Sequence, residues 1–180
     1  MKATGIVRRI DDLGRVVIPK EIRRTQRIRE GDPLEIFTTA NGEVIFKKYS
    51  PMGEMANFAA QYTQLLYKQL GHPALICDQE TVLAATGPGC KFYLEKRIGL
   101  PVEKIMNSRQ MYCHNGDGQE SLYPCEGANK SILVGCPILA GGDVGGAVLL
   151  LTEDRQAQPD QISQALVQLA AGFLAKQLED

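Results

Sequence analysis

Apolar positions come in short bursts along the first fifty residues. Ile6, Val7 and Ile10 mark a segment over 4–10, and Val16, Val17 and Ile18 mark another over 14–18, with the turn-prone Asp11-Asp12 between them. β-Branched residues bounded by turn formers predict two strands. Pro19 then stands where a helix would open, since its missing N–H has no partner in a first turn. A short helix over 19–25 follows, with Glu21 near its positive end and Arg23, Arg24 and Arg27 gathered toward its negative end. Leu34 and Ile36 share a face of a strand over 33–38, and Val44, Ile45 and Phe46 lie in a returning strand over 43–49. Asn41-Gly42 between them is a strong hairpin signal, because both residues tolerate positive φ. Four short strands and one short helix enclose little interior, which predicts that this unit gains its core by dimerising.

The period changes beyond Ser50-Pro51-Met52-Gly53. Met55, Phe58, Ala59, Tyr62, Leu65, Leu66 and Leu70 recur at helical spacing on one face, and Gly71 is placed to close that helix. Segments 74–77 and 80–85 predict a hairpin across Asp78-Gln79. Residues 87–110 read as helix and loop broken by Gly99 and Pro101, and the polar stretch 115–129 reads as a surface loop. Segments 131–139 and 144–152 are long, apolar and joined at Ala140-Gly141-Gly142-Asp143, as expected of central strands. A last helix over 159–178 carries two apolar stripes. Ile162, Leu166, Leu169 and Phe173 form one; Val167, Ala170, Leu174 and Leu178 form the other. One stripe covers a sheet, and the second either is buried in the same domain or meets another subunit.

Charge sharpens the division. Residues 1–50 hold 11 Lys and Arg against 7 Asp and Glu, whereas the remaining 130 hold 9 against 14. A basic segment on an acidic remainder implies a partner for the first that the second does not share. The 180 residues contain no apolar run of membrane-spanning length and open without a secretory signal, so a soluble cytoplasmic protein that engages no membrane is expected. Five cysteines and two histidines show no metal-ligand or disulfide spacing; Cys77 and Cys136 lie in apolar runs and read as core thiols. No catalytic residue, metal or cofactor is assigned.

Lys2, Arg8, Arg9, Arg15, Arg23 and Arg24 form the candidate functional set. Guanidinium forks pair with phosphate oxygens and guanine edges, so a face carrying this set twice in a dimer suits double-stranded DNA. The strings 4–8 (Thr-Gly-Ile-Val-Arg), 13–19 (Leu-Gly-Arg-Val-Val-Ile-Pro), 21–25 (Glu-Ile-Arg-Arg-Thr) and 34–36 (Leu-Glu-Ile) resemble the AbrB-type swapped-hairpin transition-state regulators. That resemblance implies an N-terminal β-barrel interlaced from two chains over 1–50. It further implies DNA contacts from Arg8, Arg15, Arg23 and Arg24, with Lys2 and Arg9 at positions also basic in relatives. It extends to members with a folded regulatory half, which control genes late in endospore formation and work at the nucleoid of the forespore.

After a linker over 51–55, residues 56–180 resemble a GAF domain in the order of their helices and strands. The expected fold class is therefore α+β: a dimeric barrel followed by an antiparallel sheet with flanking helices. The terminal helices are expected to pair dimers into a homotetramer. The GAF resemblance implies a sensor for an unidentified small molecule, with Tyr93, Arg97, Tyr112 and His114 as candidate pocket residues beside Cys113 and Cys125. Arg97 would hold an anion and the tyrosines would stack on a ring. The cyclic-nucleotide signature of GAF domains is missing, and Asn129-Lys130 echoes only its start. Two other readings stay open: an antitoxin whose second half blocks a toxin, and a redox enzyme using Cys90, Cys113 and Cys125. Activation and repression of transcription are both compatible with these residues.

Overall fold

The computed structural model describes residues 4–49, 52, 55–116 and 118–179. Contacts within the chain divide it into two compact units, residues 1–49 and 50–180.

In the first unit, α1 spans Lys20–Thr25, one residue shorter than expected. Pro19 is the N-cap rather than the first helical residue, with an extended ψ of 148° and a carbonyl that accepts the Arg23 N–H at 2.9 Å. Strands β1 (Leu34–Thr38) and β2 (Val44–Lys48) form an antiparallel pair with Leu34 opposite Lys48. Its turn is longer than the Asn-Gly signal suggests. Thr39 and Glu43 still bond across the ladder, leaving a three-residue loop in which Gly42 adopts a φ of 80° while Asn41 keeps an ordinary negative φ.

The strands expected over 4–10 and 14–18 are absent from the chain as it stands: both segments are irregular and exposed. Backbone N–H and C=O groups need a facing strand to make a ladder, and among the described residues none lies beside them. The turn between them does form. Asp11 Oδ1 accepts the Leu13 and Arg15 N–H groups at 3.1 and 2.7 Å, and the Asp11 carbonyl accepts the Gly14 N–H at 3.0 Å.

The second unit is a five-stranded antiparallel sheet in the order β4-β3-β7-β6-β5: β3 is Ala74–Cys77, β4 Val82–Thr86, β5 Tyr112–Cys113, β6 Ser131–Ala140 and β7 Asp143–Thr152. Both faces are covered, which is why the central strands read as unbroken apolar runs. Helices α2 (Ala56–Leu70) and α4 (Gln161–Glu179) pack on one face over Ile76, Val134, Val148 and Leu150. Helix α3 (Leu100–Ser108) and a 3-10 turn at Cys90–Tyr93 cover the other, over Leu75, Cys77, Leu149 and Leu151. Gly71, in the left-handed region at φ 69°, ends α2. The tight turn at Gly141-Gly142 takes positive φ at both residues, matching the twist of β6 and β7. At a bulge in β6, Leu133 has no opposite residue on β7, and its carbonyl is satisfied by the His114 N–H at 2.9 Å.

Helix α4 settles the question of its stripes. Val167, Ala170 and Leu174 are buried on the sheet, whereas Ile162, Leu169 and Phe173 face outward and Leu166 is half-buried. The helix is therefore not wholly enclosed by its own domain. On α2 the buried line is Ala59, Thr63 and Leu66, with Phe58 and Leu65 exposed, so the expected single apolar face splits in two.

Two β-strand glycines have unequal tolerance. A Cβ at Gly146 would lie 2.0 Å from the Cys77 carbonyl oxygen, a backbone atom that cannot swing aside; one at Gly135 would meet the flexible end of Ile105 at 3.1 Å. Gly146→Ala is expected to destabilise the domain by more than about 2 kcal/mol and Gly135→Ala by less, as read from thermal unfolding of the two variants.

Candidate nucleic-acid interface

Arg8, Arg9, Arg15, Arg23 and Arg24 are all exposed in the first unit, and Lys2 lies outside the described residues. Helix α1 sets the position of two of them. Its last turn presents Arg23 and Arg24 at the negative end of the peptide dipoles, where cations are favoured. The chain then leaves through Gln26 and Arg27, whose φ of 53° turns the backbone sharply, and the Ile28 N–H closes on the Arg23 carbonyl at 2.7 Å.

Cation by cation, the set divides. Arg8, Arg9, Arg23 and Arg24 make no ion pair among the described residues. Arg15 is engaged: its Nε donates to Asp11 Oδ2 at 2.8 Å within an exposed turn. Asp11 is a participant that attention to cations alone overlooks, although the i,i+4 spacing of an Asp and an Arg across a turn is visible in the sequence. The backbone N–H of Arg15, then its side chain, holds the Asp11 carboxyl below its ordinary range. Elsewhere in the unit, Lys48 pairs with Asp32 at 3.2 Å, and Asp32 also caps the Arg29 N–H at 2.8 Å.

Beside these cations stand uncovered apolar side chains: Val7 is 84% exposed, Val17 72%, Leu13 70% and Ile10 68%. Side chains of this type at such exposure mark a surface built to be covered.

In the second unit the four candidate pocket residues do not gather. Tyr93 is fully buried, and its hydroxyl donates to Asn129 Oδ1 at 3.1 Å. Arg97 is exposed and lies 3.9 Å from Glu80. His114 is fully buried with both ring nitrogens engaged. The Arg155 carbonyl at 2.9 Å can only accept, so Nε2 donates to it, and the Tyr112 hydroxyl lies within hydrogen-bond distance of Nδ1 at 3.2 Å. Around Tyr93, the interior between the sheet and its covering segments is filled by Val102, Met106 and Cys125. A cavity of about 320 Å³ lies instead at the sheet edge, between α3, β5 and Leu122, and Tyr112 alone of the four lines it.

The cysteines are equally settled. Cys77, Cys90, Cys125 and Cys136 are buried and Cys113 half-buried, all of them free thiols. Burial raises every one, Cys77 to about 12, so their thiolates are disfavoured at neutral pH. Among the described residues no cluster of metal-binding side chains occurs, and no helix is long and apolar enough to cross a membrane.

The Asp11 turn can be tested by titration. Since its carboxyl is lowered, the turn is favoured above pH 3.8 and loses that support as the pH falls through the depressed value. In Arg15→Ala the carboxyl is expected to recover only part of the way, because the backbone N–H at residue 15 remains; carboxyl-carbon NMR shifts read both midpoints.

Residues 54–179 match the family described as stage V sporulation protein T C-terminal, transcription factor, and residues 7–53 match the antidote-toxin recognition family MazE, bacterial antitoxin. Stage V sporulation protein T of Bacillus subtilis (strain 168) is 50% identical over 182 residues, covering 99% of each chain. The transition state regulatory protein AbrB of the same organism is 59% identical over 51 residues, 28% of this chain and 52% of AbrB. In fold, the GAF domain of a phosphoenolpyruvate-protein phosphotransferase from Coxiella burnetii superposes at a TM-score of 0.55 with 16% identity, covering 69% of this chain and 82% of that one.

Proposed function

The chain belongs to the stage V sporulation protein T family of transcription factors, and on that premise we propose that it binds double-stranded DNA through residues 1–50 and regulates genes of late spore formation. The observation that carries this reading is the set of arginines, Arg8, Arg9, Arg23 and Arg24, exposed in the first unit and without ion-pair partners among the described residues. Lys2 and Arg15 complete the set. Phosphate replaces Asp11 as the partner of the Arg15 fork when DNA arrives. With no long recognition helix, binding rests on phosphate contacts and duplex shape more than on a dense base code.

A homodimer forms as 4–10 and 14–18 of one chain pair with those of another into a barrel, covering Val7, Ile10, Leu13 and Val17. Residues 51–55 link this barrel to a sensor domain over 56–180, whose signal is a small molecule. The outward stripe of α4, with Phe58 and Leu65 of α2, joins two dimers into a homotetramer; Tyr62 of α2 already stacks on Phe173 of α4 at 4.9 Å. The protein is not an enzyme and carries no cofactor or metal, a reading that the raised thiols support. It works in the cytoplasm of the forespore, on the nucleoid, without a membrane partner.

The match of 7–53 to antitoxins favours a second reading, in which the C-terminal half neutralises a toxin. The packed sheet of that half opposes it, since a segment that folds on a toxin would not bury a core beforehand. Limited proteolysis separates the two: a resistant fragment beginning near Met55 supports the sensor, and rapid loss of the whole half supports the antitoxin.

Arg15→Ala and Arg23→Ala are each expected to weaken binding to a promoter duplex with the fold intact. Each removes two phosphate contacts per dimer, flattening the slope of log K against log salt by about 1.8. Unchanged affinity at low salt, in a salt series followed by fluorescence anisotropy, would overturn the assignment. Leu169→Asp is expected to halve the assembly mass in sedimentation equilibrium while leaving dimeric DNA binding in place.

A further inference from the structure

The edge cavity is lined mostly by apolar side chains and bordered by one cation. Leu100, Pro101 and Ile105 of α3 form one wall, and Met111 and Leu122 form another, with the Tyr112 ring between. Lys104 stands on the same stretch of α3, one turn after Leu100, and makes no ion pair among the described residues. Two of the other polar groups are committed: Ser108 Oγ donates to the Ile105 carbonyl at 2.8 Å and accepts the Gln110 N–H at 3.2 Å, and the Tyr112 hydroxyl bonds with His114. The Lys104 ammonium and the Gln110 side-chain amide, over a largely apolar hollow, are what remain to define a ligand.

From this we infer that the cavity binds a small carboxylate with a compact apolar body, the carboxylate on Lys104 Nζ and the body against Ile105, Met111 and Leu122. The volume of about 320 Å³ suits a molecule of metabolite size rather than a nucleotide. An ammonium at the rim of an apolar wall holds an anion more strongly than one in open water, because the wall lowers the local dielectric. The neighbouring elements give the ligand a lever. It would clamp α3 to β5, β5 pairs with β6 through Cys113 and Val134, and β6 carries α4 on its opposite face. Occupancy therefore reaches the outward stripe of α4 through one packed sheet. This inference rests on the sensor reading of residues 56–180 and supplies the class of its signal.

The test uses the full-length protein with methyl-labelled Leu, Ile and Met, titrated with 4-methylpentanoate and with its uncharged amide. Saturable shifts of the Ile105, Met111 and Leu122 methyls are expected with a dissociation constant in the millimolar range, as befits a ligand of so few atoms. The amide and the Lys104→Gln variant should each bind about tenfold more weakly, the loss of one charge-assisted contact. Met111→Trp, which fills the hollow, should abolish the shifts. No saturable shift in the wild type, or equal binding of acid and amide, would overturn the inference, as would Lys104→Gln binding like the wild type. DNA affinity of the same samples is measured in parallel: an empty cavity with intact, salt-dependent DNA binding rejects the ligand and leaves the regulator standing, whereas loss of DNA binding in the wild type rejects the regulator itself.

Discussion

An extended segment cannot satisfy its own backbone. Residues 4–18 hold the β-branched pattern of two strands, yet their N–H and C=O groups meet no ladder among the described residues, and Val7, Ile10, Leu13 and Val17 stand in solvent. That need for a facing strand governs the first unit. A fifty-residue segment with one six-residue helix and one hairpin has too little interior to hold itself, which favours association with a second copy.

The second unit answers the same demand internally. Its sheet is covered on both faces, its bulged carbonyl at Leu133 is capped by His114, and among its described residues no buried side-chain N or O lacks a hydrogen-bond partner. Two links tie the loop before β6 to the segment after β7: Lys130 to Glu153, and His114 to the Arg155 carbonyl. Exposed apolar side chains gather along α2 and α4, where Tyr62 and Phe173 stack near Leu65 and Leu169, and others stand singly at Phe92, Leu94, Leu100 and Leu139.

Electrostatics divides the labour between the halves. The first carries the excess of cations and the second the excess of acids, so an anionic polymer is drawn to one end of the chain and repelled by the other. Asp11 shows the division at the scale of one contact. Its carboxylate caps the turn through backbone N–H groups and holds the Arg15 fork in an exposed, weak pair that a phosphate can displace.

The sequence by itself determined the long elements: α2 and α4 from their 3.6 period and β6 and β7 from their unbroken apolar runs lie within two residues of where those patterns put them, because the patterns reflect which faces are buried. It also disclosed the arginine set, since exposed cations need no tertiary contact to be seen. Only the tertiary structure decided which stripe of α4 meets the sheet, because both stripes are equally apolar and only packing chooses between them. The pocket was decided there too. Tyr93 and His114 have the chemistry of ligand contacts in isolation, but the Tyr93 hydroxyl and His114 Nε2 are engaged by distant partners, Asn129 and the Arg155 carbonyl, that no local pattern announces. Lys104 and the hollow beside it were invisible for the same reason: a cavity is what several separate segments fail to fill.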